Sequence, residues 1–449
     1  MSNLCIRTFG CQMNKRDSEI IHSMLAEKGY VLVDREEDAD VILFNTCCVR
    51  EHAERRVYSR MEQLATLKMR RPDVVLAIGG CMAQKEGRKI LERLPHVDLV
   101  FGTGALYDLP ALLERAVAGH GPVISVDGDV RPIRSQAEFG ARETSVRAWV
   151  SIAEGCDNQC AYCVVPLVRG PERSKPAKLI LDEVNRAVEQ GHTEIFLLGQ
   201  NVNSYGHDLV GAPDFPGLLQ LVNDVSGVKR IRFTTSHPKD MSPRLVEALR
   251  DLPHVCEHLH LPLQSGSTRV LDLMNRRYTR DDYLRKIESL RSAVPGIGLT
   301  TDIIVGFPGE TEEDFEQTRS ALAEIRFDTA YIFKFSPRVD TRAETLPGHV
   351  PENEIVHRHR VLLEMQKEIS REKVLESVGT RQEVLVEAQS AKEPEYLTGR
   401  TRNYKVVRVE SDGVRVGDEA EVDITEARGW TLYGTLTAQA ALRSDAVNG

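Results

Sequence analysis

Three cysteines stand close together near the middle of the chain, in the segment Cys156-Asp-Asn-Gln-Cys160-Ala-Tyr-Cys163. Three thiolates cannot complete a tetrahedral zinc site, and structural zinc sites usually contain paired C-x2-C elements. Thiolates are the usual ligands of iron–sulfur clusters, which commonly take four of them. A cubane cluster held by only three keeps one iron open for a small chelating molecule. The spacing therefore predicts a catalytic cluster; a zinc knuckle or unrelated core cysteines are the alternatives.

A second set consists of Cys11, Cys47 and Cys81, each just past the end of a predicted strand. Because the carboxyl ends of parallel strands converge on one edge of a sheet, these sulfurs can meet despite their separation in sequence. Neighbouring glycines would let the backbone approach a bulky cluster. The alternative is that all three are small buried hydrophobic residues. Cys48 is an alternative ligand to Cys47. Below, the first set is called the loop cysteines and the second the sheet-edge cysteines.

The bulk composition limits the class of protein. A length of 449 residues predicts about three domains, and 41% hydrophobic with 28% charged residues is ordinary for a globular protein. The amino terminus resembles no signal peptide, and no stretch approaches the ~20 apolar residues of a membrane span. We therefore expect a cytoplasmic protein whose cysteines serve metal or catalysis rather than disulfides. The net charge of -9 argues against general nucleic-acid binding but allows local basic patches.

The elements that must position the cysteines follow an α/β pattern. Residues 3–120 alternate short apolar strands with helices, which predicts an open parallel sheet. The strands are expected at Leu4–Phe9, Val41–Asn45, Val74–Ile78 and Val97–Phe101, and the helices at Asp17–Lys28, His52–Met69 and Gln84–Leu94. A polar linker is expected over 121–146.

Residues 147–374 carry six further β/α units, which predict a partial (β/α)6 barrel with its chemistry on loops at the carboxyl ends of the strands. The strands are expected at Trp149–Ala153, Glu194–Leu198, Arg230–Thr234, His258–Leu261, Gly298–Val305 and Thr329–Phe335. Residues 375–441 then change to short alternating strands with glycines at the turns, which predicts a small all-β barrel. Four strands are expected there, at Gln382–Ala388, Tyr404–Val409, Ala420–Ile424 and Trp430–Leu436.

Several motifs together resemble one known family. They are Gly10-Cys11-Gln12-Met13-Asn14, Asn45-Thr46-Cys47, Gly80-Cys81, the loop-cysteine triplet, Leu198-Gly199-Gln200-Asn201, Leu261-Pro262-Leu263-Gln264-Ser265-Gly266 and Gly306-Phe307-Pro308-Gly309-Glu310-Thr311. The set is similar to the methylthiotransferase family of radical S-adenosylmethionine (SAM) enzymes, and the C-terminal barrel resembles the RNA-binding TRAM domain. The Gln-Met-Asn after Cys11 favours the group that acts on N6-isopentenyladenosine in tRNA.

The resemblance implies an activity and its cofactors. The enzyme would methylthiolate C2 of N6-isopentenyladenosine next to the anticodon, using two SAM molecules and two [4Fe-4S] clusters. The loop cysteines would hold the cluster that reduces SAM to a radical, and the sheet-edge cysteines the auxiliary cluster that presents the sulfur. Sister enzymes act on threonylcarbamoyl-adenosine in tRNA or on a ribosomal-protein aspartate, so these substrates stay open. A zinc-stabilised RNA-binding protein without catalysis is the alternative from another class.

Polar residues at the ends of the predicted barrel strands are candidate contacts to SAM or substrate. For each of them, ordinary loop hydrogen bonding is the competing interpretation. The candidates are Gln200, Asn201, Ser236, His237, Gln264 and Asp302.

Three basic stretches are candidate RNA contacts, because cations beside an aromatic ring suit a phosphate backbone and a stacked base. The C-terminal stretch contains Arg400, Arg402, Tyr404, Lys405 and Arg408. The others contain Arg50, Arg55, Arg56 and Arg60, and Arg169, Arg173, Lys175 and Lys178. Solvated surface charge is the alternative. Besides tRNA and SAM, the expected partners are an electron donor and a sulfur source; a monomer is expected, with no membrane.

Overall fold

The computed structural model describes residues 2–48, 51–119, 121–126, 142, 144, 146–411 and 413–437, with residues 51–53 described as backbone only. Within these ranges the chain forms an N-terminal parallel sheet, a central arc of parallel strands and a closed C-terminal barrel. This arrangement confirms the predicted fold class. No helix in these ranges is both long and apolar enough to cross a membrane.

The N-terminal domain is a six-stranded parallel sheet in the order β2-β1-β3-β4-β5-β6. Its strands are β1 Asn3–Thr8, β2 Val31–Leu32, β3 Val41–Thr46, β4 Val75–Gly80, β5 Leu99–Phe101 and β6 Val123–Ser125. Its helices are α1 Gln12–Glu27, α2 Glu51–Arg70, α3 Cys81–Glu86, α4 Lys89–Arg93 and α5 Leu109–Val117. Helices α1 and α5 pack on one face, and α2, α3 and α4 on the other. Strands β1, β3 and β4 are therefore adjacent, with their carboxyl ends at one edge.

Several details of this domain differ from the sequence-based expectation, among them strand β2 and helix α5, where no element was expected. The single helix expected over Gln84–Leu94 is broken into α3 and α4 at Gly87, whose φ of 52° lies in the left-handed region. Residues 123–125, expected in the linker, form β6 beside β5. The short apolar run of β6 is too brief to stand out in sequence. Most of the expected linker, residues 127–141, 143 and 145, lies outside the described residues.

The central domain is an open arc of six principal strands. Its strands are β7 Arg147–Ser151, β8 Ala153–Glu154, β9 Arg173–Ser174, β10 Glu194–Leu198, β11 Arg230–Phe233, β12 His258–His260, β13 Gly298–Val305 and β14 Thr329–Lys334. Its helices are α6 Val165–Arg169, α7 Ala177–Glu189, α8 Phe215–Asn223, α9 Pro243–Asp251, α10 Thr268–Leu273, α11 Arg280–Ala293, α12 Glu312–Ile325 and α13 Glu352–Leu375. The parallel sheets β7-β10-β11 and β12-β13-β14 meet through one bridge between Ile231 and Val255. Their inner side chains share one apolar core.

The C-terminal barrel has five strands rather than the four expected. They are β15 Arg381–Gln389, β16 Tyr396–Thr401, β17 Val406–Glu410, β18 Glu419–Arg428 and β19 Thr431–Leu436, closed in the order β15-β16-β17-β19-β18. Strand β16 was missed because two of its three buried positions are Gly399 and Thr401, so apolar alternation is absent. A Cβ at Gly399 would lie 2.4 Å from the Leu385 oxygen, which explains the glycine.

Candidate active site

The loop cysteines lie between two short paired strands at the carboxyl end of β7. Strands β8 and β9 pair antiparallel and close the base of the loop. Gly155 has a φ of 79°, and a Cβ there would lie 2.0 Å from the Pro171 oxygen. Gln200 accepts a hydrogen bond from the Gly155 N–H at 2.5 Å. These contacts fix the backbone immediately before Cys156.

A second loop of the central domain, residues 274–278, forms hydrogen bonds to the loop that carries Cys156, Cys160 and Cys163. The Ala161 N–H donates to the Met274 oxygen at 2.9 Å, and Asn275 Nδ2 donates to the Gln159 oxygen at 2.7 Å. Arg276 Nη1 donates to Cys160 Sγ at 3.2 Å. No local pattern indicates this role for Arg276, because Arg276 and Cys160 are far apart in the chain.

Burial opposes the ionisation of two thiols of the cysteine loop. Burial raises the pKa of Cys156 to about 11 and that of Cys163 to about 12. A coordinated metal deprotonates its thiol ligands outright, so these groups would lose their protons when a cluster binds.

The sheet-edge cysteines follow three adjacent strands, as the sequence predicts. Cys11 caps α1 after β1, Cys47 follows β3, and Cys81 begins α3 directly after β4. Cys11 is within hydrogen-bonding reach of Cys47, and Cys48 is within reach of Cys81. The neighbouring pair Cys47 and Cys48 therefore contacts both of the other cysteines.

Glycine is required where these strand ends meet. Gly10 has a φ of 125°, and a Cβ there would lie 2.3 Å from Cys47 Cβ. Gly80 has a φ of 93°, and its Cβ would lie 2.5 Å from the Thr46 oxygen. These glycines bring the sheet-edge cysteines to each other, rather than merely leaving room for a bulky group.

The sheet-edge site stabilises thiolates. The hydrogen bond from Cys47 lowers the pKa of Cys11 to about 6, and Arg169 contributes in the same direction. The hydrogen bond from Cys48 lowers the pKa of Cys81 to about 7, again with help from Arg169. The same contact with Cys81, together with burial, raises the pKa of Cys48. The shifts at Cys11 and Cys81 both favour the thiolate, the form that binds metal.

A cavity of about 860 Å³ is lined by residues of the N-terminal domain, the cysteine loop and the central domain. Cys48 and Arg55 reach it from the N-terminal domain, and Cys163 lines it from the cysteine loop. Gln264 and Asp302 line it from the strand ends of the central domain. Its volume lies within the range of small-molecule sites.

The six candidate SAM contacts have different surroundings. Asn201 Oδ1, Ser236 Oγ and Gln264 Oε1 are buried polar atoms without a hydrogen-bond partner in the described part of the chain. Buried polar atoms normally have partners, so orphaned acceptors suit a ligand. Gln264 also has a φ of 69°, in the left-handed region. Gln264 and Asp302 face the cavity, and Asp302 lies 3.4 Å from His260 Nε2.

The other two candidates already hold protein groups. Gln200 supports Gly155, as described above. His237 Nδ1 accepts from the Lys239 N–H at 3.2 Å, and burial, with Arg276 nearby, lowers the pKa of His237 to about 2. A further orphaned hydroxyl, Ser151 Oγ at the end of β7, was missed because a serine within an apolar strand gives no signal in sequence.

The basic stretch after the loop cysteines points inward. Lys175 is fully buried and donates to Glu183 at 3.0 Å, and Arg173 pairs with Glu154 at 3.3 Å. Arg169 donates to Cys81 Sγ at 3.3 Å and to Asp17 at 2.8 Å. A surface RNA contact is therefore wrong for Lys175 and Arg169, whose side chains are buried; for Arg173, which is partly exposed, and Lys178, which is exposed, it stays a prediction. In the stretch near Cys47, Arg55, Arg56 and Arg60 are exposed, and Arg50 lies outside the described residues.

The C-terminal candidates for RNA contact lie largely at the junction with the central domain. Arg402 forms a two-pronged ion pair with Glu257, and Lys405 donates to Ser377 at 2.8 Å. The Tyr404 ring stacks on His258, with centroids 4.7 Å apart.

The remaining two candidates are also engaged in contacts. The Arg400 guanidinium lies 4.6 Å from the Tyr404 ring centroid, and Arg408 pairs with Glu393 within the barrel. All five side chains are half-buried. Their binding of RNA stays a prediction, and their observed contacts stabilise the barrel and its junction.

The two cysteine sets offer sulfur donors at two places in the molecule. Across the described ranges, no three His, Cys, Asp or Glu side chains converge closely enough to bind one metal ion. A cubane spreads its thiolate ligands over separate irons, so its ligands need not converge on one point. Each set contains three cysteines, and cysteine thiolates are the usual ligands of such clusters.

Family models match three parts of the chain. Residues 3–102 match the uncharacterized protein family UPF0004, residues 150–322 match the radical SAM superfamily, and residues 376–437 match the TRAM domain.

Full-length relatives carry one name. The tRNA-2-methylthio-N(6)-dimethylallyladenosine synthase of Moorella thermoacetica is 48% identical over 96% of this chain and 97% of that protein. The enzyme of that name from Acetivibrio thermocellus is 47% identical over 96% of this chain and 90% of that protein. Among solved structures, the radical SAM methyltransferase TsrM of Kitasatospora setae, with cobalamin and a [4Fe-4S] cluster bound, has a TM-score of 0.54. It is 14% identical and covers 77% of this chain and 74% of its own, a likeness of fold alone.

Proposed function

The chain belongs to the family of tRNA-2-methylthio-N(6)-dimethylallyladenosine synthases, and on that premise we propose that it adds a methylthio group to C2 of N6-isopentenyladenosine next to the anticodon of tRNA. It is a radical SAM enzyme whose cofactors are SAM and two [4Fe-4S] clusters. The observation that supports the proposal most directly is the cavity of about 860 Å³, which is lined by Cys163 of the loop cysteines and by Cys48, the chain neighbour of Cys47. A substrate there would lie between a site for radical generation and a site for sulfur.

Each cluster is assigned to one set of cysteines. Cys156, Cys160 and Cys163 would hold the cluster that binds SAM, and Cys11, Cys47 and Cys81 the auxiliary cluster. When bound, these groups supply the electron that cleaves SAM and the sulfur that is transferred, a route suited to an aromatic C–H bond with no acidic proton.

The chain's own residues bind and orient the small molecules. Asn201 Oδ1, Ser236 Oγ and Gln264 Oε1 are buried acceptors that would receive the amino and hydroxyl protons of SAM. Asp302 lies on the cavity wall beside Gln264 and would accept from the same ligand or from the adenine edge. Burial keeps His237 neutral, so it would position Lys239 rather than carry a proton.

The tRNA would approach on the side where Arg55 lines the cavity, since an exposed guanidinium at the mouth suits a phosphate next to the target base. The TRAM domain would add contacts on its outer face. An electron donor and a sulfur source complete the reaction. We propose that the protein works as a monomer in the cytoplasm, where tRNA is available.

The test is anaerobic. The full chain is reconstituted with iron and sulfide, then supplied with SAM, a reductant and isopentenylated tRNA that lacks the methylthio group. Digested tRNA is analysed by mass spectrometry, and methylthiolated isopentenyladenosine is the expected product. Cys156→Ala and Cys81→Ala should abolish it.

Adjacent cysteines provide a matched control for the ligand assignment. Cys47→Ala should abolish the product, whereas Cys48→Ala should retain it to within about threefold, a change of ~0.6 kcal/mol in activation free energy. The reverse result would exchange the roles of these two residues. A colourless protein containing zinc would contradict the proposal altogether.

A further inference from the structure

Arg169 links the two cysteine sets. Its Nε donates to Cys81 Sγ at 3.3 Å, and its Nη2 donates to Asp17 Oδ2 at 2.8 Å. It is the last residue of α6, the helix that follows directly after Cys163 in the loop of the central domain. A cation on the segment that follows the loop cysteines therefore contacts one of the sheet-edge cysteines.

The position of Arg169 is fixed by packing rather than by its charge alone. Val164 and Val168, which flank α6 and lie on it, are buried in the core formed by one face of the N-terminal sheet. Thr103 Oγ1 donates to the Val168 oxygen at 2.6 Å. Helix α6 thus packs against the N-terminal domain, although it follows the cysteine loop in the chain.

The surroundings of Arg169 are chemically unusual. Its side chain is only 7% exposed, and removing a guanidinium from water is costly unless anions compensate. Asp17 supplies one negative charge, and the second donor is directed at a sulfur rather than at a carboxylate. A buried cation that donates to a ligand sulfur favours the more negative state of that ligand and of any cluster bound to it.

We propose that Arg169 is a positioning residue of the auxiliary site, which fixes Cys81 and raises the reduction potential of the cluster held there. Hydrogen bonds to ligand sulfur and nearby charge are among the factors that set iron–sulfur potentials. Reduction adds negative charge, which the guanidinium stabilises, so loss of Arg169 makes the cluster harder to reduce. The proposal rests on the proposed function, since it takes Cys81 as a cluster ligand.

The experiment isolates the auxiliary cluster in the full chain with Cys156, Cys160 and Cys163 replaced by Ala. The potential is measured by redox titration monitored by electron paramagnetic resonance, without tRNA or SAM. Arg169→Gln should move the midpoint to a more negative value and alter the spectrum. Arg169→Lys, which keeps the charge but cannot form the same two-pronged contact, should give a smaller shift in the same direction.

The matched control is Arg173→Gln, a nearby arginine on the same segment whose guanidinium pairs with Glu154. It should leave the auxiliary potential unchanged. An unchanged potential in Arg169→Gln, with the cluster still loaded, would overturn the role of Arg169 and leave the proposed function intact. If Arg169→Gln fails to hold a cluster, the Arg169→Lys shift decides the same question. A triple-Ala background that forms no cluster on the sheet-edge cysteines overturns the proposed function and the inference together.

Discussion

Arg276 Nη1 donates to Cys160 Sγ across 3.2 Å, although the two residues are 116 positions apart in the chain. Burial of the Arg276 guanidinium is compensated by the Pro262 oxygen and the Tyr278 hydroxyl, each at 3.2 Å. Each cysteine set thus has one sulfur that accepts a hydrogen bond from a buried arginine: Cys160 from Arg276, and Cys81 from Arg169.

Arg276→Gln should impair SAM cleavage. Hydrogen bonds to charged groups contribute about 1.5–3 kcal/mol, so losing this one predicts roughly a 10- to 100-fold lower rate. The measurement is anaerobic formation of 5′-deoxyadenosine from SAM. The neighbouring Arg277 is exposed, and Arg277→Gln is the matched control, expected to leave the rate nearly unchanged in the absence of tRNA. Equal losses in both variants would contradict a specific role for Arg276.

Gly155→Ala should destabilise the cysteine loop by more than the backbone strain of its positive φ alone. Gly191 also has a positive φ, 92°, but no heavy atom lies within 4 Å of a Cβ built there. Gly191→Ala should cost about 1–2 kcal/mol of unfolding free energy from backbone strain alone. Gly155→Ala adds the overlap with the Pro171 oxygen and should cost more, with loss of iron from the loop cysteines. Equal unfolding free energies and full iron retention would rule out this steric constraint.

His237 should make stability depend on pH. Its folded-state pKa of about 2 lies below the ordinary value of 6.5, because burial and nearby cations oppose its charge. The unfolded chain therefore binds a proton that the folded chain does not. Stability should fall as the pH drops below about 6.5, by about 1.4 kcal/mol per pH unit from this group.

His237→Asn should flatten that dependence, measured as the urea midpoint of the cluster-free protein at several pH values between about 5 and 8. His207 is the control, because its pKa changes in the other direction: burial lowers it, but Glu172 and Asp157 outweigh burial and raise it. His207→Asn should not flatten the slope. An unchanged slope in His237→Asn would mean that His237 accepts a proton in the folded state.

Arg232 should hold the C-terminal barrel on the central domain. It donates to Glu194 at 2.6 Å and to the backbone oxygens of Thr401 and Arg402 at 2.8 Å, with its side chain only 1% exposed. The pair with Glu194 lies within the central domain, so the two bonds to the barrel backbone are what cross the junction. Hydrogen bonds that involve a charged group contribute about 1.5–3 kcal/mol each, so Arg232→Ala should weaken the docking of the barrel. Limited proteolysis near residue 378 and a separate thermal transition would report it.

The control for that variant lies within the same barrel. Arg381 pairs with Asp423 at 2.8 Å, but both side chains are about half exposed. Exposed pairs contribute about 0–1 kcal/mol, so Arg381→Ala should leave proteolysis and melting almost unchanged. If Arg232→Ala behaves in the same way, the junction depends on other contacts.

The sequence predicted the parts of the site that depend on local pattern. Strand ends followed by cysteine, as at Cys47 and Cys81, are visible because apolar runs mark parallel strands and their carboxyl ends share an edge. Residues that act through distant contacts were not visible. Arg169 was a candidate RNA contact, and Arg276 was not considered, since nothing near either residue shows that a sulfur lies beside it.

The same limit applies to the basic residues of the C-terminal barrel. Basic residues around Tyr404 suggested an RNA surface, yet Arg402 and Tyr404 pack on Glu257 and His258 of the central domain. Local composition could not show which face of the barrel is covered. The contact between Arg402 and Glu257 joins residues 145 positions apart and leaves no periodic signal.

The central claim is that this chain methylthiolates N6-isopentenyladenosine in tRNA, and substrate competition tests it most directly. Equal amounts of isopentenylated tRNA and of tRNA carrying threonylcarbamoyl-adenosine are supplied together, with a ribosomal-protein substrate in a parallel reaction, under anaerobic conditions with SAM and reductant. Mass spectrometry should find the methylthio group on isopentenyladenosine alone. Methylthiolation of threonylcarbamoyl-adenosine or of a protein aspartate, with isopentenyladenosine unchanged, would contradict the account.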